Sequence, residues 1–70
     1  MKCQLTMTCS LSGYQYRTEA ERKTRKECMM WAESVKQYLS GMHKPGEPKQ
    51  FSLQFLYPSG AAKADSEVIL

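Results

Sequence analysis

The first eleven residues alternate between polar and apolar side chains, the pattern of a β-strand with one buried face. The apolar positions are Cys3, Leu5, Met7, Cys9 and Leu11. Ser12-Gly13 follows and predicts a two-residue hairpin turn, because glycine tolerates a positive φ. In this register Leu11 faces Tyr14. Cys9 then faces Tyr16, so both tyrosines fall on the apolar face of the first strand, which supports the hairpin.

A second alternating segment lies near the end of the chain and predicts a third strand with an aromatic inner face. Its inward positions are Phe51, Leu53, Phe55 and Tyr57. Met42 to Lys49, before it, is rich in proline and glycine and is predicted to be a loop. Pro58-Ser59-Gly60 predicts the end of the strand, and Ala61 to Ser66 is expected to form a loop or a short helical turn. Glu67 to Leu70 fits either a fourth, edge strand or a tail that contacts a partner.

Between the strands, Thr18 to Gly41 carries the 3.6-residue period of an amphipathic helix. Thr18 and Glu21 have the Thr-x-x-Glu spacing of a capping box, and Gly41 can close the helix in the left-handed conformation. The predicted core stripe consists of Cys28, Trp31, Ala32, Val35, Tyr38 and Leu39. Because this stripe has no large apolar side chain before Cys28, the first two helical turns are expected to project beyond the core.

The order strand, strand, helix, strand predicts an α+β fold in which a single helix packs on one face of a small, mainly antiparallel sheet. The arrangement is ββαβ with an optional short fourth strand, and residues 1–70 are expected to form one small domain. The other face of the sheet is predicted to be hydrated. It is lined by Gln4, Thr6, Thr8, Ser10, Gln15, Arg17, Ser52 and Gln54.

The composition of the chain indicates its size class and its cellular compartment, but it says little about its function. A chain of 70 residues with a net charge of +3 has a small core, and dimerisation is a common way to stabilise one. Its three cysteines are an odd number and contain no Cys-x-x-Cys pair. The N-terminus lacks the apolar block of a signal peptide, and no segment approaches the length of a membrane span. We therefore expect a cytoplasmic protein with free thiols.

Catalytic and metal-binding patterns are weak in this sequence. The single histidine, His43, lies in a predicted loop, and all three cysteines lie on predicted core faces, where a thiol behaves as an apolar group with a raised pKa. Cys3 and Cys9 are about 20 Å apart on one extended strand, so they cannot share a metal ion. The sequence therefore predicts no enzyme activity, no metal site and no cofactor.

A run of cations offers one candidate binding surface, for nucleic acid. Its members are Arg17, Arg22, Lys23, Arg25 and Lys26. Three interleaved carboxylates reduce its net charge, and the exposed aromatic side chains that stack on single-stranded bases are missing from this face. A solvated helix face is the plainer interpretation of the run, and nucleic-acid binding remains the alternative function.

The leading hypothesis rests on two methionines that fall outside the core stripe, among cations. The predicted partner-binding residues are Arg22, Lys26, Met29, Met30 and Lys36. An apolar centre with a charged rim is typical of protein interfaces, and methionine is frequent on adaptable ones. We therefore expect a small, dimeric, non-enzymatic module that docks on an anionic patch of another protein, as a modulator or inhibitor of a larger protein machine. In the competing interpretation the helix is rotated and one methionine packs inside the molecule.

Overall fold

Four strands and one helix make up the fold in a computed structural model that describes residues 1–43, 45–56 and 62–70, and only the backbone of 62–66. The elements are β1 (Lys2–Cys9), β2 (Gln15–Glu21), α1 (Arg25–Met42), β3 (Lys49–Leu56) and β4 (Ala62–Ile69). The strands form one antiparallel sheet in the order β2-β1-β3-β4. The predicted α+β class, with one helix on a mainly antiparallel sheet, is confirmed.

The fourth strand is present and longer than Glu67 to Leu70, so the loop or helical turn predicted for Ala61 to Ser66 is wrong over residues 62–66. Strand β4 is stabilised by backbone pairing with β3, which a local reading of small, polar residues does not reveal. The predicted strand end at Pro58-Ser59-Gly60, and the inward position assigned to Tyr57, lie outside the described residues.

The core forms where α1 lies over the two central strands, β1 and β3. Every second residue of these strands points toward the helix and is buried, as the alternation predicted. The buried apolar residues are Cys3, Leu5, Met7, Cys9, Cys28, Ala32, Leu39, Phe51, Leu53 and Phe55. Strand β2 lies at an edge of the sheet, beyond the helix.

The β1–β2 hairpin has a different register from the one predicted. Met7 pairs with Tyr16, and the Cys9 N–H donates to the Tyr14 carbonyl at 2.8 Å, so the loop has four residues and not two. The Glu47 carboxylate accepts from both the N–H and the hydroxyl of Ser12, at 3.0 and 2.9 Å, and thereby ties this turn to the chain after α1. A shift of two residues preserves the side-chain parity, so both tyrosines still lie on the predicted face.

The helix begins later than predicted, and Thr18 to Glu21 belongs to β2. Its N-cap is Thr24, whose hydroxyl accepts from the Glu27 N–H at 3.2 Å, while the Glu27 carboxylate accepts from the Lys23 N–H at 3.0 Å. Thr24 and Glu27 repeat the Thr-x-x-Glu spacing, so local sequence offers two equivalent caps. Pairing with β1 decides between them, because it places Thr18 opposite Leu5 in the ladder. Of the segment predicted to be helical before Cys28, residues 18–24 are therefore not helical, and only residues 25–27 belong to α1.

The predicted closure of the helix at Gly41 is also wrong. Gly41 lies inside α1, which runs to Met42, and the His43 N–H donates to the Leu39 carbonyl at 3.0 Å as the helix ends. Among the described residues, no atom outside the backbone of α1 and the chain neighbours lies within 4 Å of the position that a Cβ at Gly41 would take.

The core stripe of α1 is centred as predicted but is narrower. Trp31 and Val35 are half-buried against the core, whereas Tyr38 is 64% exposed and the prediction that it faces inward is wrong. Met29, predicted to be solvent-facing, is half-buried and packs against the core. The reason is the placement of α1 over β1 and β3, which covers the flank that carries Met29 and leaves the flank that carries Tyr38 uncovered. No helix in the described part of the chain has the length and apolar character needed to cross a bilayer.

Candidate functional site

An open concavity of about 480 Å³ lies beside the first half of α1, next to the connection between β2 and α1. We call its lining the Met30 patch, which consists of Arg22, Glu27, Met30, Trp31 and Ser34. Met30 is 62% exposed, while Trp31 is half-buried and rests against the core. The patch therefore combines the exposed, flexible side chain of Met30 with the indole of Trp31, which is held in place by its packing against the core.

Arg22, at the rim of the patch, is held in place by hydrogen bonds to Met1. The Arg22 N–H donates to the Met1 carbonyl at 2.9 Å, and the N-terminal ammonium group donates to the Arg22 carbonyl at 2.7 Å. The Arg22 guanidinium also donates to the Glu21 carbonyl at 2.8 Å. These bonds fix the short connection between β2 and α1, so Arg22 reaches the patch from outside the helix on which it was predicted.

Positively charged side chains outnumber negatively charged ones around the patch. Lys26 is exposed one helical turn before Met30, and it adds a second cation to Arg22. The one carboxylate in the lining, that of Glu27, accepts the Lys23 N–H in the helix cap. The patch therefore has an apolar floor with Arg22 at its rim and Lys26 one helical turn away, an arrangement that suits an apolar side chain next to a carboxylate.

The five predicted partner-binding residues do not form one surface. Arg22 and Met30 line the concavity and Lys26 lies one helical turn before Met30, but Met29 and Lys36 lie on the other flank of α1. Met29 packs against the core, and the Lys36 ammonium lies 5.9 Å from the centre of the Phe51 ring. The prediction divided the helix into one buried and one exposed face, so it placed Met29 and Lys36 on the same surface as Met30.

The cationic run proposed for nucleic acid is divided as well. Arg17 pairs with Thr6 in the ladder and lies on the outer face of the sheet. The Arg25 guanidinium lies 4.4 Å from the centre of the Phe55 ring, on the core side of the helix. Only the remaining three cations share the region around the start of α1, so the run does not form the single helical face on which that alternative was based.

Sequence reasoning missed the roles of Trp31 and Ser34. Trp31 was assigned wholly to the core because it falls at the edge of the apolar stripe. A large aromatic side chain at that edge is itself a signal, because it can support the core and reach solvent at once. Ser34 lies one turn beyond Met30, where its small side chain leaves space for the concavity.

The thiols occupy the core, as predicted. Cys3, Cys9 and Cys28 are free and buried. Burial, followed by the side-chain hydrogen bond with Cys28, raises the pKa of Cys3 to about 12. A thiol in this state is a poor nucleophile at neutral pH, because the thiolate is the reactive form.

His43 lies at the end of α1, with its ring centre 5.0 Å from that of Tyr14. Its Nε2 atom is buried and has no hydrogen-bond partner among the described residues. The same part of the chain contains no group of three or more histidine, cysteine or acidic side chains that could hold a metal ion. No known protein family, curated protein or solved structure matches this chain.

Proposed function

We propose that the chain is a cytoplasmic, non-enzymatic protein-binding module that modulates or inhibits a larger protein machine by docking through the Met30 patch. The observation that supports this most is the exposed Met30 beside the half-buried Trp31, in a concavity with Arg22 on its rim.

The apolar floor supplies the affinity in this proposal. An indole seated on the core loses little conformational freedom on binding, and aromatic side chains of this kind dominate the energetics of many interfaces. Met30 adjusts its flexible side chain to the shape of the partner. The floor is small, so the partner inserts one or two apolar side chains into it.

The rim defines the chemistry of the partner. Arg22 and Lys26 favour carboxylates next to the inserted apolar group, because like charges are rejected and opposite charges accelerate encounter. The expected ligand is therefore an acidic segment of another protein that carries an exposed apolar side chain. The three buried cysteines are free thiols, which is typical of proteins in a reducing compartment, and the partner is therefore sought there.

Replacement of Met30 by aspartate tests the proposal. We expect Met30→Asp to weaken binding to the partner at least ten-fold, because a carboxylate on the apolar floor would be desolvated and would face an acidic ligand. Met42→Asp is the matched control, since Met42 lies on the same helix, is 68% exposed and is outside the patch. The measurement is affinity capture from nuclease-treated source cells, followed by titration of the captured protein with each variant.

Two results would contradict the proposal. One is equal capture by the Met30→Asp and Met42→Asp variants. The other is binding that disappears after nuclease treatment and is restored by added oligonucleotide, which would indicate a nucleic-acid function. Thermal melts of both variants establish that each is folded, because Met30 is too exposed for its replacement to disturb the core.

A further inference from the structure

The outer edge of β2 carries unpaired backbone groups. The Arg22 N–H donates to the Met1 carbonyl, and the Tyr14 carbonyl accepts from Cys9, so even-numbered residues of this segment bond to β1. Backbone groups of successive residues in a strand point to opposite edges. The N–H and C=O groups of Gln15, Arg17 and Glu19 therefore point away from the sheet, on the side where β2 has no neighbour among the described strands.

The side chains along this edge are arranged symmetrically about its middle residue. Strand β2 runs from Gln15 to Glu21 with Thr18 at its centre, and Arg17 and Glu19 flank Thr18 on the outer face of the sheet. If two copies of β2 pair antiparallel about Thr18, Arg17 of each copy lies directly opposite Glu19 of the other. Oppositely charged pairs in this position stabilise a sheet.

Other registers are less favourable. A pairing centred on Arg17 places two guanidinium groups opposite each other, and a pairing centred on Glu19 does the same with two carboxylates. Directly opposed like charges destabilise strand pairing. Of these three registers, the Thr18 register is therefore the one that opposes no like charges, and it is also the one that pairs β2 along its whole length.

Both charged side chains lie on the outer face of the sheet, the face on which this contact would form. The Glu19 carboxylate is held on the outer face by the Lys2 ammonium at 3.1 Å and by the Gln4 side-chain amide at 3.3 Å. Arg17 has no ion-pair partner among the described residues. A second copy would supply one to each Arg17, and Glu19 would then lie between cations on both sides.

We propose that two copies of this chain form a symmetric dimer through the β2 edges, with Thr18 on the two-fold axis and one continuous sheet across both copies. The proposal uses the backbone and outer face of β2, so it does not depend on the function of the Met30 patch. A 70-residue chain also gains stability from association, since a domain of this size buries a limited core.

The inner face of β2 is compatible with this pairing. Because α1 lies over β1 and β3, Tyr16 is 41% exposed, and Thr18 and Ala20 are half-buried. In the Thr18 register, Tyr16 of one copy faces Ala20 of the other. A large side chain then meets a small one at both symmetry-related positions, so the pairing would bury aromatic surface from Tyr16.

Charge reversal tests the register. Arg17→Glu and Glu19→Arg each place like charges opposite each other twice, so each is expected to weaken dimerisation about ten-fold or more. The double variant restores opposite charges, and its dimerisation should return to within a few-fold of the original. An equimolar mixture of the two single variants should form the heterodimer. Sedimentation equilibrium across a dilution series gives the constants, and native mass spectrometry identifies the heterodimer.

Matched controls separate this contact from net charge. Lys26→Glu and Glu33→Arg change the net charge by the same amounts at exposed positions on α1, and they should leave dimerisation unchanged. If a reversal variant fails to fold, Arg17→Gln removes the charge alone and should weaken the dimer a few-fold.

The proposal is overturned if the unmodified chain remains a monomer at about 1 mM, a concentration at which even weak specific pairing is populated. It is also overturned if the Arg17→Glu variant dimerises as the original does, if Lys26→Glu weakens the dimer equally, or if the mixed single variants form no heterodimer. Loss of partner capture by Met30→Asp with dimerisation intact would show that the two proposals concern separate surfaces.

Discussion

At the scale of single residues, burial converts potentially reactive groups into structural ones. Alternation along β1 and the stripe on α1 were sufficient to predict that Cys3, Cys9 and Cys28 lie in the core, because each position follows from periodicity alone. The close approach of Cys3 to Cys28 could not be predicted in the same way. It depends on how α1 crosses β1, which no local pattern specifies.

Cys3 makes the stability of the protein sensitive to alkaline pH. Its thiol ionises near pH 9 in the unfolded chain but near pH 12 in the folded protein, since burial disfavours the thiolate. The folded state thus binds a proton that the unfolded state has lost, and the free energy of unfolding falls as the pH rises from about 9 to 12. We expect this contribution to approach about 1.4 kcal/mol per pH unit.

Chemical denaturation at several pH values between 8 and 11 measures this slope. Cys3→Ala provides the control, because it removes the titrating group while other ionisations continue. The variant should show a shallower decline than the original protein. Parallel declines in the two proteins would show that ionisation of Cys3 is not linked to folding.

At the scale of elements, the main error of the sequence interpretation concerned where α1 begins. Thr18 with Glu21 and Thr24 with Glu27 carry the same capping spacing, so local chemistry cannot distinguish them. The decision comes from the ladder between β1 and β2, which uses the backbone of Thr18 in a strand. The strands were easier to predict, because alternation with one buried face is compatible with few other structures.

Removal of the Thr24 hydroxyl tests the position of the cap. We expect Thr24→Ala to lower the free energy of unfolding by about 1 kcal/mol, because the Glu27 N–H loses its acceptor at the start of the helix. Thr24→Asp should remain close to the original stability, since aspartate caps equally well and suits the helix dipole. Urea denaturation followed by circular dichroism measures both variants.

At Thr18, the residue first predicted to cap the helix, substitution by aspartate is expected to lower the stability instead of preserving it. Thr18→Asp would place a charge in the middle of a strand, half-buried, and should destabilise the protein. A stabilising Thr18→Asp together with a neutral Thr24→Ala would mean that the helix begins near Thr18.

At the scale of the whole molecule, the fold class followed from the sequence, but the surfaces did not. The order of elements and the buried faces of β1 and β3 predicted a helix on a sheet. The lateral position of α1 over those two strands was not predictable, because it depends on packing among all the elements. That position separates Met29 from Met30, exposes Tyr38 and leaves β2 as an uncovered edge strand.

Both proposed binding surfaces follow from this displacement of α1 away from β2. The Met30 patch opens beside the connection from β2 to α1, and the dimer uses the edge of that strand. If residues 18–21 formed the start of the helix, as first predicted from the sequence, neither surface would exist in this form. The edge strand is therefore the feature on which the account depends.

Amide hydrogen exchange of residues 15–24, followed by NMR across a dilution series, tests this feature most directly. We expect the amides of Thr18 and Ala20 to be protected at every concentration, because they donate to β1. The amides of Arg17 and Glu19 should exchange faster on dilution as the β2 edges separate. Uniform protection of consecutive amides through Thr18 to Thr24, independent of concentration, would indicate a continuous helix and contradict the account.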